Sequence, residues 1–146
     1  DPENKRPDSE LLNVLKEAHL ENLVMRDDNG LFQKIEEKGN NLSSGEKQLI
    51  CICRAILRKN KIVLMDEATA NIDIKTEEII QKLIQERFKD STVITIAHRL
   101  NTIISSDKVL VLDKGEVVEF DNPQVLLNDP SSKFYSLVNR RQRSNS

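Results

Sequence analysis

Ile62-Val63-Leu64-Met65-Asp66-Glu67 is an unbroken apolar run that ends in two carboxylates. A run of that length reads as a buried strand of a parallel sheet. Its acids then stand at the carboxyl edge of the sheet, where open α/β proteins place their ligands. A second run, Thr92-Val93-Ile94-Thr95-Ile96, leads into Ala97-His98-Arg99 and ends a second buried strand in a histidine. Between the two, residues 75–88 carry Ile79, Ile80, Leu83 and Ile84 at helical spacing. Strand, helix and strand in that order predict parallel neighbours joined by a right-handed crossover. Paired acids at such an edge suit hydrolysis of a nucleoside triphosphate. One would hold Mg²⁺ through its water shell, and its neighbour would orient or deprotonate the attacking water.

Working upstream, Asn41-Leu42-Ser43-Ser44-Gly45-Glu46-Lys47-Gln48-Leu49 opens a helix expected over residues 44–59, with Leu49, Ile50, Cys53, Ile56 and Leu57 as its core-facing stripe. Serines and a glycine stand where that helix exposes unpaired backbone N–H groups, which makes a ready anion site. Before it, residues 1–7 read as a linker, and Asp8 or Ser9 caps a helix through residues 10–20 with Leu11, Leu12, Val14, Leu15, Ala18 and Leu20 at helical spacing. Asp27-Asp28-Asn29-Gly30 marks a turn, and residues 32–41 read as irregular or weakly extended. Downstream, residues 107–112 and 116–120 form a hairpin joined by Asp113-Lys114-Gly115. Asn122-Pro123 starts a short helix through Leu127, and residues 131–138 form the last one.

The chain has 146 residues, 38% hydrophobic and 32% charged, which is an ordinary composition for one small domain. Its apolar runs are strand length, too short to span a bilayer. A formal net charge of -2 argues against a nucleic-acid surface, which carries a basic excess. Arg140-Arg141-Gln142-Arg143 is the exception, and residues 139–146 read as a solvated, flexible basic tail rather than a lipid or kinase contact. Cys51 and Cys53, two apart on one helix, point in different directions and share no metal. His19 stands without other ligand-type residues nearby and reads as a structural or surface histidine.

Four segments in order carry a resemblance. Leu42-Ser43-Ser44-Gly45-Glu46 resembles the signature of ATP-binding cassette (ABC) proteins, and residues 62–67 resemble their Walker B strand. Ala70-Asn71-Ile72-Asp73 is similar to their D-loop and His98 to their switch histidine. Ala55-Ile56-Leu57-Arg58-Lys59-Asn60, Asp66-Glu67-Ala68-Thr69-Ala70-Asn71 and Thr95-Ile96-Ala97-His98-Arg99-Leu100-Asn101-Thr102-Ile103 resemble the second nucleotide-binding domain of C-subfamily exporters, the multidrug resistance-associated proteins. The similarity covers residues 1–138. It implies an α/β, P-loop NTPase-like parallel sheet with flanking helices: a helical signature region over about 8–59, then the Walker B to C-terminal part over about 60–138. No Gly-x-x-x-x-Gly-Lys-Ser/Thr loop occurs here, and the chain has only four glycines. The resemblance therefore implies that the Walker A loop, the adenine-stacking aromatic and the Q-loop precede Asp1.

The roles that follow are those the resemblance implies. Asp66 holds Mg²⁺ bridging the β- and γ-phosphates of ATP, Glu67 polarises the hydrolytic water, and His98 contacts the γ-phosphate. Ser43, the backbone of Ser44 and Gly45, and Glu46 face ATP held by a second nucleotide-binding domain, head-to-tail and in the same polypeptide. Asp73 caps the helix that follows it and faces that partner. Transmembrane domains are the other partners, no nucleic acid is involved, and the location is the cytosolic side of an exporter in the plasma membrane. Organic anions are the expected cargo, chosen by membrane helices not in this sequence. The signature departs from Leu-Ser-Gly-Gly-Gln at Ser44 and Glu46. A Cβ at 44 limits close backbone approach, and a carboxylate at 46 adds negative charge near a polyphosphate. That implies a competent Walker B acid and a weakened signature on the same domain, Glu67 belonging to the other of the two composite sites. A soluble cassette ATPase of DNA repair or translation is the first alternative, disfavoured by the lack of basic patches and by the wording of residues 95–103. A gating cassette is the second, and Glu67 favours turnover over gating.

Overall fold

The computed structural model describes residues 5–66, 72–96 and 100–144. It divides into two compact units, Asp1–Ile96 and Ala97–Ser146. The first is helical around a two-stranded parallel sheet, and the second is an antiparallel hairpin with helices. This is the mixed α/β class that the strand and helix alternation predicts.

In the first unit α1 (Asp8–Glu17) begins on Pro7 without a side-chain cap, although Asp8 and Glu10 place negative charge at its positive end. The single helix expected to residue 20 stops early. His19 takes a left-handed backbone with φ 55, and α2 (Glu21–Met25) starts afresh. The physical reason is burial: Val14, Ala18, Leu20 and Leu23 all enter the core, and a straight helix would carry some of them away from it. Two short 3₁₀ turns, Gly30–Phe32 and Glu37–Gly39, occupy the segment expected to be irregular or extended.

The long helix α3 (Ser44–Arg58) buries Leu49, Ile52, Cys53 and Ile56 against α1 and the sheet. Cys51 on the same helix is exposed while Cys53 is buried, and burial pushes the Cys53 thiol up to about 12. That thiol is chemically quiet. Strand β1 (Ile62–Asp66) pairs in parallel with β2 (Thr92–Ile96), from Ile62 opposite Thr92 to Asp66 opposite Ile96. Val63 and Met65 point into the core, whereas Ile62 and Leu64 are exposed, so the strand expected to be buried on both faces is covered on one. Between the strands α4 (Ile74–Arg87) sends Ile80 and Leu83 inward, and Phe88 closes its end.

In the second unit α5 (Leu100–Ile104) precedes strands β3 (Val109–Asp113) and β4 (Glu116–Asp121). Lys114 and Gly115, with φ 51 and 85, make the tight turn whose twist suits a hairpin. Asn122 caps α6 (Pro123–Leu127) by accepting from the Gln124 N–H, with proline at the first helical position. The last helix, α7 (Lys133–Ser144), packs Phe134 and Val138 on Val109 and Val111. It starts where Glu119 of β4 accepts from the N–H groups of Lys133 and Phe134, at 2.7 and 3.0 Å. The helix continues to Ser144, beyond residue 138 where the sequence suggests a tail. No helix among the described residues is long and apolar enough to cross a membrane.

Candidate functional site: the signature turn

Ser43 adopts extended backbone, and its Oγ accepts from the Glu46 N–H at 3.2 Å. Glu46 reaches back, one carboxylate oxygen accepting from the Ser43 N–H at 2.8 Å. This reciprocal capping box fixes the first turn of α3. An α-helix supplies no acceptor for its first-turn amides, so the Ser44–Gly45 turn directs its N–H groups out of the helix end. The positive end of the helix dipole lies there too.

The other oxygen of Glu46 is engaged from the residue that follows α2. Arg26 Nη2 donates to it at 2.5 Å, while Nη1 donates to the Asn41 carbonyl at 3.4 Å. Asn41 in turn braces the approach to the signature: its Oδ1 accepts from the Glu36 N–H and its Nδ2 donates to the Lys34 carbonyl. Partial burial pushes the Glu46 carboxyl up, but the hydrogen bonds from Ser43 and Arg26 with the Arg26 charge outweigh it and hold the group below its ordinary value.

Asp73 caps α4 much as Ser43 caps α3. It accepts from the Thr76 hydroxyl at 2.7 Å and from the Thr76 N–H at 3.0 Å, and these bonds hold its carboxyl below the usual aspartate range. Thr76 also touches the signature. A Cβ added to Gly45 would come within 3.1 Å of Thr76 Cγ2, so any larger residue there would push the Thr76 side chain back by a few tenths of an ångström. Together the two helix starts open onto a cleft of about 590 Å³, lined by Arg26, Ser43, Ser44, Gly45, Glu46, Asp73 and Thr76 among others.

Five of the sequence-predicted residues, Ser43, Ser44, Gly45, Glu46 and Asp73, are therefore brought to one cleft. Asp66 is not there: it is the exposed last residue of β1, in register with Ile96 at the carboxyl edge of the sheet. Glu67 follows Asp66, and His98 lies two residues after Ile96; both fall outside the described residues. Among the described residues no cluster of three His, Cys, Asp or Glu could hold a metal ion. The described residues offer one exposed carboxylate at that edge, Asp66, and one or two carboxylates are all that Mg²⁺ takes when waters and phosphate oxygens complete its shell. Sequence reading missed Thr76 and Arg26. An Asp-x-x-Thr spacing before a helix could have found the first, whereas Arg26 and Glu46 are 20 residues apart and no local pattern links them.

The ABC transporter family model matches residues 3–70. The chain is 51% identical over 138 residues to ATP-binding cassette sub-family C member 4 of Homo sapiens, covering 94% of this chain and 10% of that protein. It is 50% identical over 145 residues to the probable multidrug resistance-associated protein lethal(2)03659 of Drosophila melanogaster, covering 99% of this chain and 11% of that one. It is 47% identical over 138 residues to metal resistance protein YCF1 of Saccharomyces cerevisiae, covering 94% and 9%. The chain thus spans about a tenth of the length of the curated relatives it matches. With about half its residues shared with sub-family C and multidrug resistance-associated proteins across nearly its whole length, the chain belongs to the ABC transporter family as part of a nucleotide-binding domain.

Proposed function

We propose that this chain provides the Walker B acids and the signature turn of a membrane exporter that couples ATP hydrolysis to efflux, on the cytosolic side of the plasma membrane. The observation that carries the reading is the capped start of α3, opening with the Asp73 cap of α4 onto one cleft. Relatives named for multidrug resistance and metal resistance support efflux as the task. Organic anions are the cargo class proposed.

Asp66, at the carboxyl edge, would hold Mg²⁺ through its carboxylate, and the ion when bound would supply positive charge against the phosphates of ATP. Glu67, one residue beyond, takes the proton of the attacking water, and His98 hydrogen-bonds the γ-phosphate. Ser43 and the amides of Ser44 and Gly45 meet the γ-phosphate of ATP carried by a second nucleotide-binding domain, packed head-to-tail. Asp73 contributes to that same contact while capping α4. ATP-driven closure of the two domains then moves the transmembrane domains between inward- and outward-facing states.

In the full-length exporter Glu67→Gln removes the base and keeps the Mg²⁺ ligand. ATP binding persists, steady-state turnover falls about 10²- to 10⁴-fold, and closed dimers with trapped ATP accumulate. Wild-type turnover in that variant overturns the assignment.

A further inference from the structure

We infer that Arg26 is a positioning residue for the signature turn: its guanidinium fixes the Glu46 carboxylate in the capping box and offsets its charge, so that the turn can face a polyphosphate. The inference rests on the function proposed above and adds to it a residue outside every motif recognised in the sequence.

A glutamate at the third position of α3 suits the helix itself, because a carboxylate is favourable at the positive end of the dipole. It does not suit an anion that must use the same end. The geometry resolves the conflict by dividing the two oxygens of Glu46. One accepts from the Ser43 N–H, and the other accepts from Arg26. The carboxylate is held at both oxygens, and the side chain is only 19% exposed.

The charge count points the same way. Among the described residues lining the cleft, the carboxylates are Glu46 and Asp73, and Arg26 is the one lysine or arginine; His19 is the remaining ionisable group. Without Arg26 two carboxylates would face the polyphosphate with no permanent cation between them. Arg26 is itself 52% exposed, so the pair adds little to folding stability, as exposed pairs generally do. Its effect falls on the ligand, through a field that acts within a Debye length of roughly 8 Å in physiological salt.

The test uses the full-length exporter in the Glu67→Gln background, where ATP binds without turnover, and reads the ATP concentration that half-saturates trapping at the second domain's nucleotide, the one the signature turn faces. Arg26→Met raises it about three- to tenfold. Arg26→Lys restores most of the loss, and the double variant Arg26→Met with Glu46→Gln returns to within about twofold of Glu46→Gln alone, since the charge that needed offsetting is gone. Added salt shrinks the Arg26→Met defect. An equal defect with glutamate or glutamine at 46 overturns the inference, because a merely structural arginine would behave that way; so does a neutral Arg26→Met. Arg26→Gln gives the same readings if the methionine variant does not accumulate. Ser44→Tyr separates the two levels of argument. If bulk at the start of α3 leaves trapping unchanged, the phosphate-facing reading of the signature falls; if Ser44→Tyr blocks trapping while Arg26→Met is silent, only the role of Arg26 falls.

Discussion

Thr76 links the two helix starts of the cleft, giving its hydroxyl and its N–H to Asp73 and its methyl to the face of Gly45. The sign of its contribution with pH follows from the depressed Asp73 pKa. A carboxyl whose folded pKa lies below its unfolded value, about 3.9 for aspartate, stabilises the fold fully above that value and loses the contribution as pH falls through the folded one. Thr76→Val keeps the shape against Gly45 and removes the hydroxyl donor, so the folded pKa of Asp73 rises toward the ordinary value. Followed by pulse proteolysis in urea from about pH 6 downward, the variant is then less stable than the wild type near neutral pH and loses less on acidification, so that the two profiles converge at low pH. Superimposable pH profiles for the two proteins would mean that the hydroxyl is not what holds Asp73 down. Asp73 itself was legible as a cap because the signal is local, a short acid just before a helical run. Glu46 was legible only as a charge in an awkward place. Its partner is the residue that ends α2, across a turn and two 3₁₀ segments, and such pairings are made by tertiary structure.

At the scale of elements α3 shows both what a sequence tells and what it withholds. Its start is a capping box of the kind that can be read directly from Ser-x-x-Glu. Its end is less favourable, because Lys59 takes the left-handed conformation, φ 52 and ψ 43, at a position where glycine or asparagine is usual. A side chain with a Cβ is strained there, so Lys59→Gly relieves the strain and gives back part of the gain as added freedom in the unfolded chain. The net expectation is a gain of about 0.5 kcal/mol in a denaturant midpoint, and a loss instead would show that the Lys59 side chain holds the helix end by a contact of its own. The strands, α3, α4 and the hairpin followed from periodicity and turn residues, which act over a few positions. The break at His19 did not, since residues 10–20 keep helical spacing throughout and only the burial of both Ala18 and Leu20 forces the turn. The extension of α7 to Ser144 was hidden for the opposite reason: a basic run without apolar residues gives no periodic signal, and the helix is launched by Glu119 from a strand earlier in the chain.

At the scale of the whole molecule, the outer face of the parallel sheet governs how the isolated chain behaves. Leu64 and Ile94 stand side by side across β1 and β2, 75% and 54% exposed, flanked by Ile62 and Ile96 at 63% and 59%. Four large apolar side chains on one face form a patch of the kind that marks an interaction surface or an aggregation liability. Both strands also belong to a sheet of only two, so each has an edge without a strand partner among the described residues. Purified alone, the chain is therefore expected to bind a hydrophobic dye and to self-associate as its concentration rises. It is also expected to show no Mg²⁺-dependent ATPase, since its 146 residues contain no Gly-x-x-x-x-Gly-Lys-Ser/Thr loop to cradle the phosphates. Leu64→Thr with Ile94→Thr puts a strand-favouring β-branched residue at both positions and lowers the apolar area of that face. Dye binding and light scattering should both drop while the far-ultraviolet circular dichroism stays unchanged, because Val63 and Met65, which hold β1 to the core, point the other way. Undiminished dye binding in the double variant would move the responsible surface elsewhere, and ATP turnover by the purified chain would reveal that something other than a Gly-x-x-x-x-Gly-Lys-Ser/Thr loop cradles the phosphates here.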